Sequence, residues 1–188
     1  MTSIPRTIPT VIRLGIVALL GSLLLGYSAA AQSHASGVAP VVKPAGAARP
    51  INADELQGLL KRDGAHPLLV NYWATWCDPC RDEFPDLVKI DEQYRPRGLD
   101  FIAVTLDDLV DINTEVPKFL RTMNAKMPVY LLNVPDPEPA INAVDREWGG
   151  ALPATFLYNA KGEVVYKHFG RVKADELRAA IEKVMSGK

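Results

Sequence analysis

The sequence predicts an α/β fold with a central mixed β-sheet covered by helices on both faces. An apolar run at 68–74 is too continuous for a half-exposed strand and indicates a buried one. A helical segment and a second apolar strand at 100–106 follow it, which makes a βαβ unit. Near the end of the chain, a hairpin pattern precedes an amphipathic helix at 174–185.

The first elements follow from capping and periodicity. Asn52 and Glu55 are spaced as in a capping box, which predicts the start of a short helix. After the strand at 68–74, a longer helix is predicted over 80–94. Pro85 lies inside that helix and has no amide hydrogen to donate, so we expect a kink there.

The second half of the chain alternates in the same way. Helical spacing over 116–123 is followed by a short apolar strand at 129–132. A further helix is predicted over 141–148. Two strands, at 154–158 and 163–168, are joined by a short Asn- and Gly-containing loop, which predicts a hairpin.

Residues 1–31 have the pattern of a secretory signal. Arg6 and Arg13 flank the start of an apolar run at 14–25, and small residues follow up to Ala31, after which cleavage is expected. The alternative is an uncleaved signal anchor, which would give the chain a membrane anchor. In either case we expect the rest of the chain to be periplasmic or otherwise extracytoplasmic.

Residues 32–50 are rich in Ala, Gly, Pro and Ser, which predicts a flexible linker, and 51–188 is then one domain. The composition, 48% hydrophobic and 23% charged, is that of a globular protein. The net charge is −1 and no Lys/Arg run occurs, so a nucleic-acid partner is not expected. The acidic pair Asp107-Asp108 is interpreted as a solvated loop.

Cys77 and Cys80 are the two cysteines of the chain, spaced Cys-x-x-Cys between the buried strand and the long helix. Two cysteines at this spacing can form a small-ring disulfide, although zinc sites use the same spacing. At a helix N-terminus, the helix dipole and free amide groups stabilise a thiolate. In an oxidising compartment such a pair is either oxidised at rest or kept reduced by a dedicated donor.

Two segments carry a family resemblance. Segment 70–85, VNYWATWCDPCRDEFP, resembles the active-site region of thioredoxin-like proteins, and segment 150–157, GALPATFL, resembles their cis-proline segment. More narrowly, the chain resembles TlpA/ResA-type extracytoplasmic thiol-disulfide oxidoreductases. Asn71 stands where thioredoxins carry a buried acid, and Glu83 where this branch places an acid near the cysteines. The helix and strand within 113–132 fit the inserted αβ element of the branch.

The resemblance implies a thioredoxin fold and three catalytic residues. Cys77 would attack the substrate disulfide with a pKa below the free value of about 8.5, and Cys80, buried one turn later, would resolve the mixed disulfide. Glu83, if buried, would have a raised pKa suited to proton exchange with the Cys80 thiol. The alternatives for Glu83 are a solvated helix residue, which is the common state of glutamate, or an acid near the helix N-terminus that the dipole favours.

The resemblance also implies a substrate-binding surface. Trp76 would shield the disulfide, and Pro79 would stiffen the first helical turn. Pro153 would be cis, and the backbone of Leu152 would receive an extended substrate by β-addition. The histidines are isolated, so neither a metal site nor a cofactor is expected.

The expected function is therefore reduction of protein disulfides, with apocytochrome c or a copper-site assembly protein as candidate substrates and a membrane thiol-disulfide protein as electron donor. Two alternatives remain. One is a copper-chaperone-like metal-handling module that uses His168, and the other is an inert structural disulfide. A peroxidase is disfavoured because no Pro-x-x-x-Thr-x-x-Cys pattern surrounds Cys77.

Overall fold

The computed structural model describes residues 46–62 and 64–187. The predicted signal segment and residues 32–45 of the predicted linker lie outside the described residues. In chain order the elements are β1 (Ala48–Ile51), α1 (Ala53–Leu60), β2 (Leu68–Trp73), α2 (Asp78–Tyr94), β3 (Asp100–Thr105), α3 (Glu115–Thr122), β4 (Val129–Leu132), α4 (Glu138–Val144), β5 (Ala154–Tyr158), β6 (Val164–Phe169) and α5 (Ala174–Met185), with 3-10 turns at Arg95–Arg97 and Leu109–Asn113.

The strands form one mixed sheet in the order β1-β4-β3-β2-β5-β6. β1, β4, β3 and β2 pair in parallel, whereas β5 runs antiparallel to β2 and β6 runs antiparallel to β5. β1 and β6 are therefore the two edges of the sheet. The predicted mixed sheet, the β2-α2-β3 unit, the α3-β4 element and the β5-β6 hairpin are confirmed.

β2 lies at the centre of this sheet, and helices cover both of its faces. Every residue of β2 is buried, as its continuous apolar run predicts. Leu69 and Trp73 pack into a core cluster with α2, α3 and α5. Val70 and Tyr72 point the other way, into a second cluster with α1 and α4. The alternation follows from the two-residue period of a strand.

β1 is a strand where the sequence predicted the end of a flexible linker. Ala48 to Ile51 pair in parallel with Val129 to Leu132, and Ile51 is only 1% exposed. These four residues, which include an arginine and Pro50, show no alternation of apolar and polar side chains. Hydrophobic periodicity therefore did not predict a strand here. Pro50 is tolerated because an edge strand needs hydrogen bonds on one side only.

α2 is longer than predicted at its start and spans 17 residues, with Cys77 as its N-cap. Pro85 lies inside it, and the helix continues to Tyr94. None of the helices within 46–62 and 64–187 combines the length and the apolar character needed to cross a bilayer.

α4 begins and ends earlier than predicted: it starts at Glu138, and it ends at Val144 because Asp145 is extended. Trp148 therefore lies in a turn, where its amide donates to the Asp145 carbonyl at 3.1 Å. Its indole nitrogen donates to the Ala151 carbonyl at 2.8 Å. The ring packs on Tyr72, with 4.4 Å between ring centroids, so the residue is buried as a core aromatic although it is not helical.

The burial of Ile51 gives a test of β1 as part of the folded domain. Ile51→Ala should lower the free energy of unfolding in urea by about 2–5 kcal/mol, because it removes buried methyl groups and leaves a cavity. Val164→Ala, in the other edge strand and 41% exposed, is the matched control and should change it by about 0.5 kcal/mol or less. Equal effects of the two substitutions would contradict the placement of β1.

Candidate active site

The two cysteines lie between the end of β2 and the start of α2, and they form a disulfide. Cys77 is the N-cap of α2, and its sulfur accepts a hydrogen bond from the Cys80 amide at 3.3 Å. Pro79 lies in the first turn of the helix, as expected. Cys77 is 5% exposed and Cys80 is fully buried, so Cys77 is the sulfur-bearing residue nearer to solvent.

Trp76 projects beside the disulfide and is 67% exposed. It lines two surface grooves. One, of about 220 Å³, is also lined by Arg81 and Phe119. The other, of about 480 Å³, is also lined by Leu106 and Ile141. The exposed indole therefore stands between two concave surfaces at the end of the domain that carries the disulfide.

The peptide bond between Leu152 and Pro153 is cis, as the resemblance implied. β5 begins at Ala154, opposite Tyr72, so Pro153 lies next to the loop that carries Cys77. The Pro153 carbonyl accepts from the Gly170 amide at 2.7 Å. Leu152 is half-buried against both core clusters, and its amide and carbonyl form no hydrogen bond with the rest of the described chain.

Glu83 lies one helical turn after Cys80 and is 1% exposed, so the alternative of a solvated helix residue is wrong. One carboxylate oxygen accepts from the Asn71 side-chain amide at 2.8 Å. The other accepts from the backbone amide of Val172 at 2.7 Å. Burial raises the pKa of Glu83 from 4.5 to about 7, and the two hydrogen bonds and the charge of Arg171 oppose this rise only in part.

Asn71 holds Glu83 to the centre of the sheet. It is buried in β2, and its side-chain amide also donates to the Thr155 hydroxyl at 3.1 Å. Thr155 is the residue opposite Asn71 in β5. Glu83 is therefore linked to β2 and β5 through Asn71, and to the segment just before α5 through Val172.

Asp107 was interpreted as part of a solvated loop, and this was wrong, because the residue is 3% exposed. Its two carboxylate oxygens accept from the Thr75 amide at 3.1 and 3.0 Å. The Thr75 hydroxyl donates to it at 2.6 Å, and the Thr105 hydroxyl also donates to it. The sequence held one indication of this contact. Asp107 follows β3, which is parallel to β2, and parallel neighbours end at the same edge of a sheet.

Among the described residues, His168 lies near a backbone carbonyl rather than in a cluster of metal-ligating side chains. The His168 ring nitrogen lies 3.2 Å from the Arg171 carbonyl. Within the part of the chain that the structure describes, no three His, Cys, Asp or Glu side chains are grouped so that they could hold a metal ion.

The sequence of this chain is similar to those of known thiol-disulfide proteins. The model of the AhpC/TSA family matches residues 45–167. Thiol:disulfide interchange protein HelX of Rhodobacter capsulatus is 28% identical over 186 residues, which cover 93% of this chain and 94% of HelX. Thiol-disulfide oxidoreductase ResA of Bacillus cereus is 26% identical over 117 residues, so the matched part spans 62% of the length of that relative.

Solved structures show the same fold. A thiol:disulfide interchange protein of the thioredoxin family from Chlorobium tepidum superposes with a TM-score of 0.56 at 24% identity, covering 69% of this chain and 84% of that one. Another solved structure from Chlorobium tepidum, that of a putative thiol:disulfide interchange protein DsbE, is 28% identical with a TM-score of 0.51, covering 65% of this chain and 82% of that one. The chain therefore has the thioredoxin-like fold and belongs to the AhpC/TSA family.

Proposed function

We propose that this chain is a thiol-disulfide oxidoreductase that reduces disulfide bonds in other proteins. The observation that carries the proposal is the Cys77–Cys80 disulfide at the N-terminus of α2, with the buried carboxyl of Glu83 one turn further on. The names of HelX and ResA, which describe thiol-disulfide chemistry, support it.

In the proposed reaction, both cysteines start as thiols. The Cys77 thiolate attacks one sulfur of the substrate disulfide, forms a mixed disulfide and releases the first substrate thiolate, which takes up a proton. The Cys80 thiolate then attacks the Cys77 sulfur and releases the second substrate thiolate. Two electrons and two protons pass to the substrate, and a dithiol donor must reduce the Cys77–Cys80 disulfide again.

The proposed role of Glu83 is to exchange a proton with Cys80. A buried thiol needs a base to become a thiolate, and a carboxyl with a pKa of about 7 can be either base or acid near neutral pH. The positions i and i+3 place Cys80 and Glu83 on one side of α2. Asp78, in the first turn, adds negative charge near the thiolate, which favours a reducing pair.

The proposed substrate surface combines Trp76, Pro79, Leu152 and Pro153. An extended segment of the substrate can pair with the free amide and carbonyl of Leu152 as a short added strand. The exposed indole of Trp76 and the two grooves beside it offer apolar contacts for the flanking side chains.

The proposed setting is the periplasm or another extracytoplasmic compartment. The secretory pattern of residues 1–31 supports export, either as a cleaved signal or as an anchor. There the disulfide would be reduced by a membrane thiol-disulfide protein. Apocytochrome c and copper-site assembly proteins are the substrate classes proposed for this reductase.

The first test is catalysis itself. The protein should accelerate the reduction of insulin by dithiothreitol, because its pair would relay electrons from the small dithiol to the protein disulfide. Insulin precipitation reports the rate. Cys77→Ser should return the rate to that without the protein. A wild-type rate equal to the uncatalysed one would count against the proposal and favour an inert disulfide.

The separate roles of the cysteines predict a trapping result. Cys80→Ser leaves Cys77 able to attack but removes the resolving thiol, so it should accumulate mixed disulfides with substrate proteins. Cys77→Ser should accumulate few, because Cys80 is buried. Non-reducing gels with mass spectrometry of the adducts provide the measurement. Equal trapping by the two variants would contradict the assignment of attack to Cys77.

The protonation of Glu83 predicts how stability depends on pH. Its folded pKa lies above the unfolded value, so the stability linked to the protonated form is fully present below about pH 4.5 and is lost as the pH rises through about 7. The change from 4.5 to about 7 corresponds to about 3 kcal/mol of unfolding free energy.

Urea unfolding of the oxidised protein at pH 4.5 and 7.5 measures this loss. Wild type should lose about 3 kcal/mol more than Glu83→Gln between the two values, because glutamine does not titrate. Asp54→Asn, which removes an exposed acid on α1, should lose as much as wild type. Identical losses in wild type and Glu83→Gln would show that Glu83 does not titrate in this range.

A further inference from the structure

Asp107 is a buried carboxylate, and within the described residues its hydrogen-bond donors are all neutral and it forms no ion pair. Removing a carboxylate from water is costly, and hydrogen bonds to the charged form offset that cost. Thr75 and Thr105 supply these bonds through one backbone amide and two hydroxyl groups. These donors therefore hold the Asp107 carboxylate in place just after the end of β3.

The alignment of β2 with β3 does not require Asp107. The two strands pair in parallel from Leu68 and Asp100 to Trp73 and Thr105. The Leu106 amide then donates to the Trp73 carbonyl at 2.9 Å, which completes the ladder. The contacts that Asp107 adds are hydrogen bonds beyond the end of β2, to the amide and hydroxyl of Thr75.

Thr75 belongs to the loop that leads into the redox pair, and its backbone is held on both sides. Its amide donates to Asp107, and its carbonyl accepts from the Arg81 guanidinium at 3.2 Å. The Cys77 amide donates to the Ala74 carbonyl at 3.3 Å. The loop is thus fixed between the end of β2 and the first turn of α2.

We propose that Asp107 is a positioning residue for the redox pair, because through Thr75 it holds the loop that places the Cys77 sulfur against the amide groups at the start of α2. The proposal rests on the oxidoreductase function proposed above. Those amide groups and the helix dipole stabilise the thiolate of the reduced protein only while the sulfur stays at the helix end.

The charge of Asp107 could also act on Cys77 directly. The positioning role and this electrostatic role predict opposite changes in the pKa of Cys77 when Asp107 is replaced. A carboxylate near Cys77 disfavours the thiolate, so removal of the charge alone would make Cys77 more acidic. Loss of positioning makes Cys77 less acidic, because the sulfur moves away from the amide groups. Thr75→Val separates the roles, because it removes a hydroxyl donor and leaves the charge of Asp107 in place.

The experiment follows alkylation of Cys77 by iodoacetamide from pH 4 to 9 in the reduced full-length protein, with the modified peptide identified by mass spectrometry. The variants are Asp107→Asn and Thr75→Val. The controls are Thr75→Ser, which keeps the hydroxyl, and Asp108→Asn, which removes the same charge from the exposed neighbouring residue. Insulin reduction and the melting temperature are measured on each protein.

We expect Asp107→Asn and Thr75→Val to raise the apparent pKa of Cys77 by about one pH unit, which is about tenfold less thiolate at any pH well below that pKa. Thr75→Ser and Asp108→Asn should titrate like wild type. A lower pKa of Cys77 in Asp107→Asn with no change in Thr75→Val would overturn positioning in favour of charge. Unchanged titration with a lower melting temperature in both would leave Asp107 a structural role only.

The two proposals fail in different ways. If wild type does not accelerate insulin reduction, the oxidoreductase function is lost, whatever the variants do. If wild type is active and Asp107→Asn and Thr75→Val titrate like Asp108→Asn, only the positioning role is lost.

Discussion

The burial of β2 on both faces is the constraint on which the rest of the structure depends. A strand with no solvated face must be covered by helices on both sides and paired at both edges. Its register then fixes the site, because Asn71 faces Thr155 in β5 and reaches Glu83 in α2. A slip of one residue would turn Asn71 to the opposite face and leave the carboxyl of Glu83 without this partner.

The two buried acids near the redox pair show how differently a fold can accommodate a carboxylate. Glu83 has two partners, Asn71 and Val172, and burial outweighs them, so its pKa rises to about 7. Asp107 receives hydrogen bonds from Thr75 and Thr105 to both of its oxygens. The first arrangement fits the proton exchange proposed for Glu83, and the second fits the anchoring of the loop proposed for Asp107.

Much of this architecture could be predicted from the sequence, because long periodic segments and the Cys-x-x-Cys motif are local signals. β1 could not be predicted, because its burial comes from pairing with β4, far along the chain. The spacing of Trp148 fitted a helix, but the extended Asp145 ends that helix first. The burial of Asp107 depends on Thr75, 32 residues away in the chain, which the pairing of β2 with β3 brings to it.

The edge strand β6 bears on how the domain avoids aggregation. An edge presents unpaired backbone groups that can template pairing with another chain, and Val164 and Val165 are exposed along it. Two features work against such pairing. The register of β5 with β6 shifts between Leu157 and Tyr158. Lys167 forms ion pairs with the acids that follow α4 and keeps charge on the strand. Both features disfavour the addition of a strand from a second chain at the β6 edge.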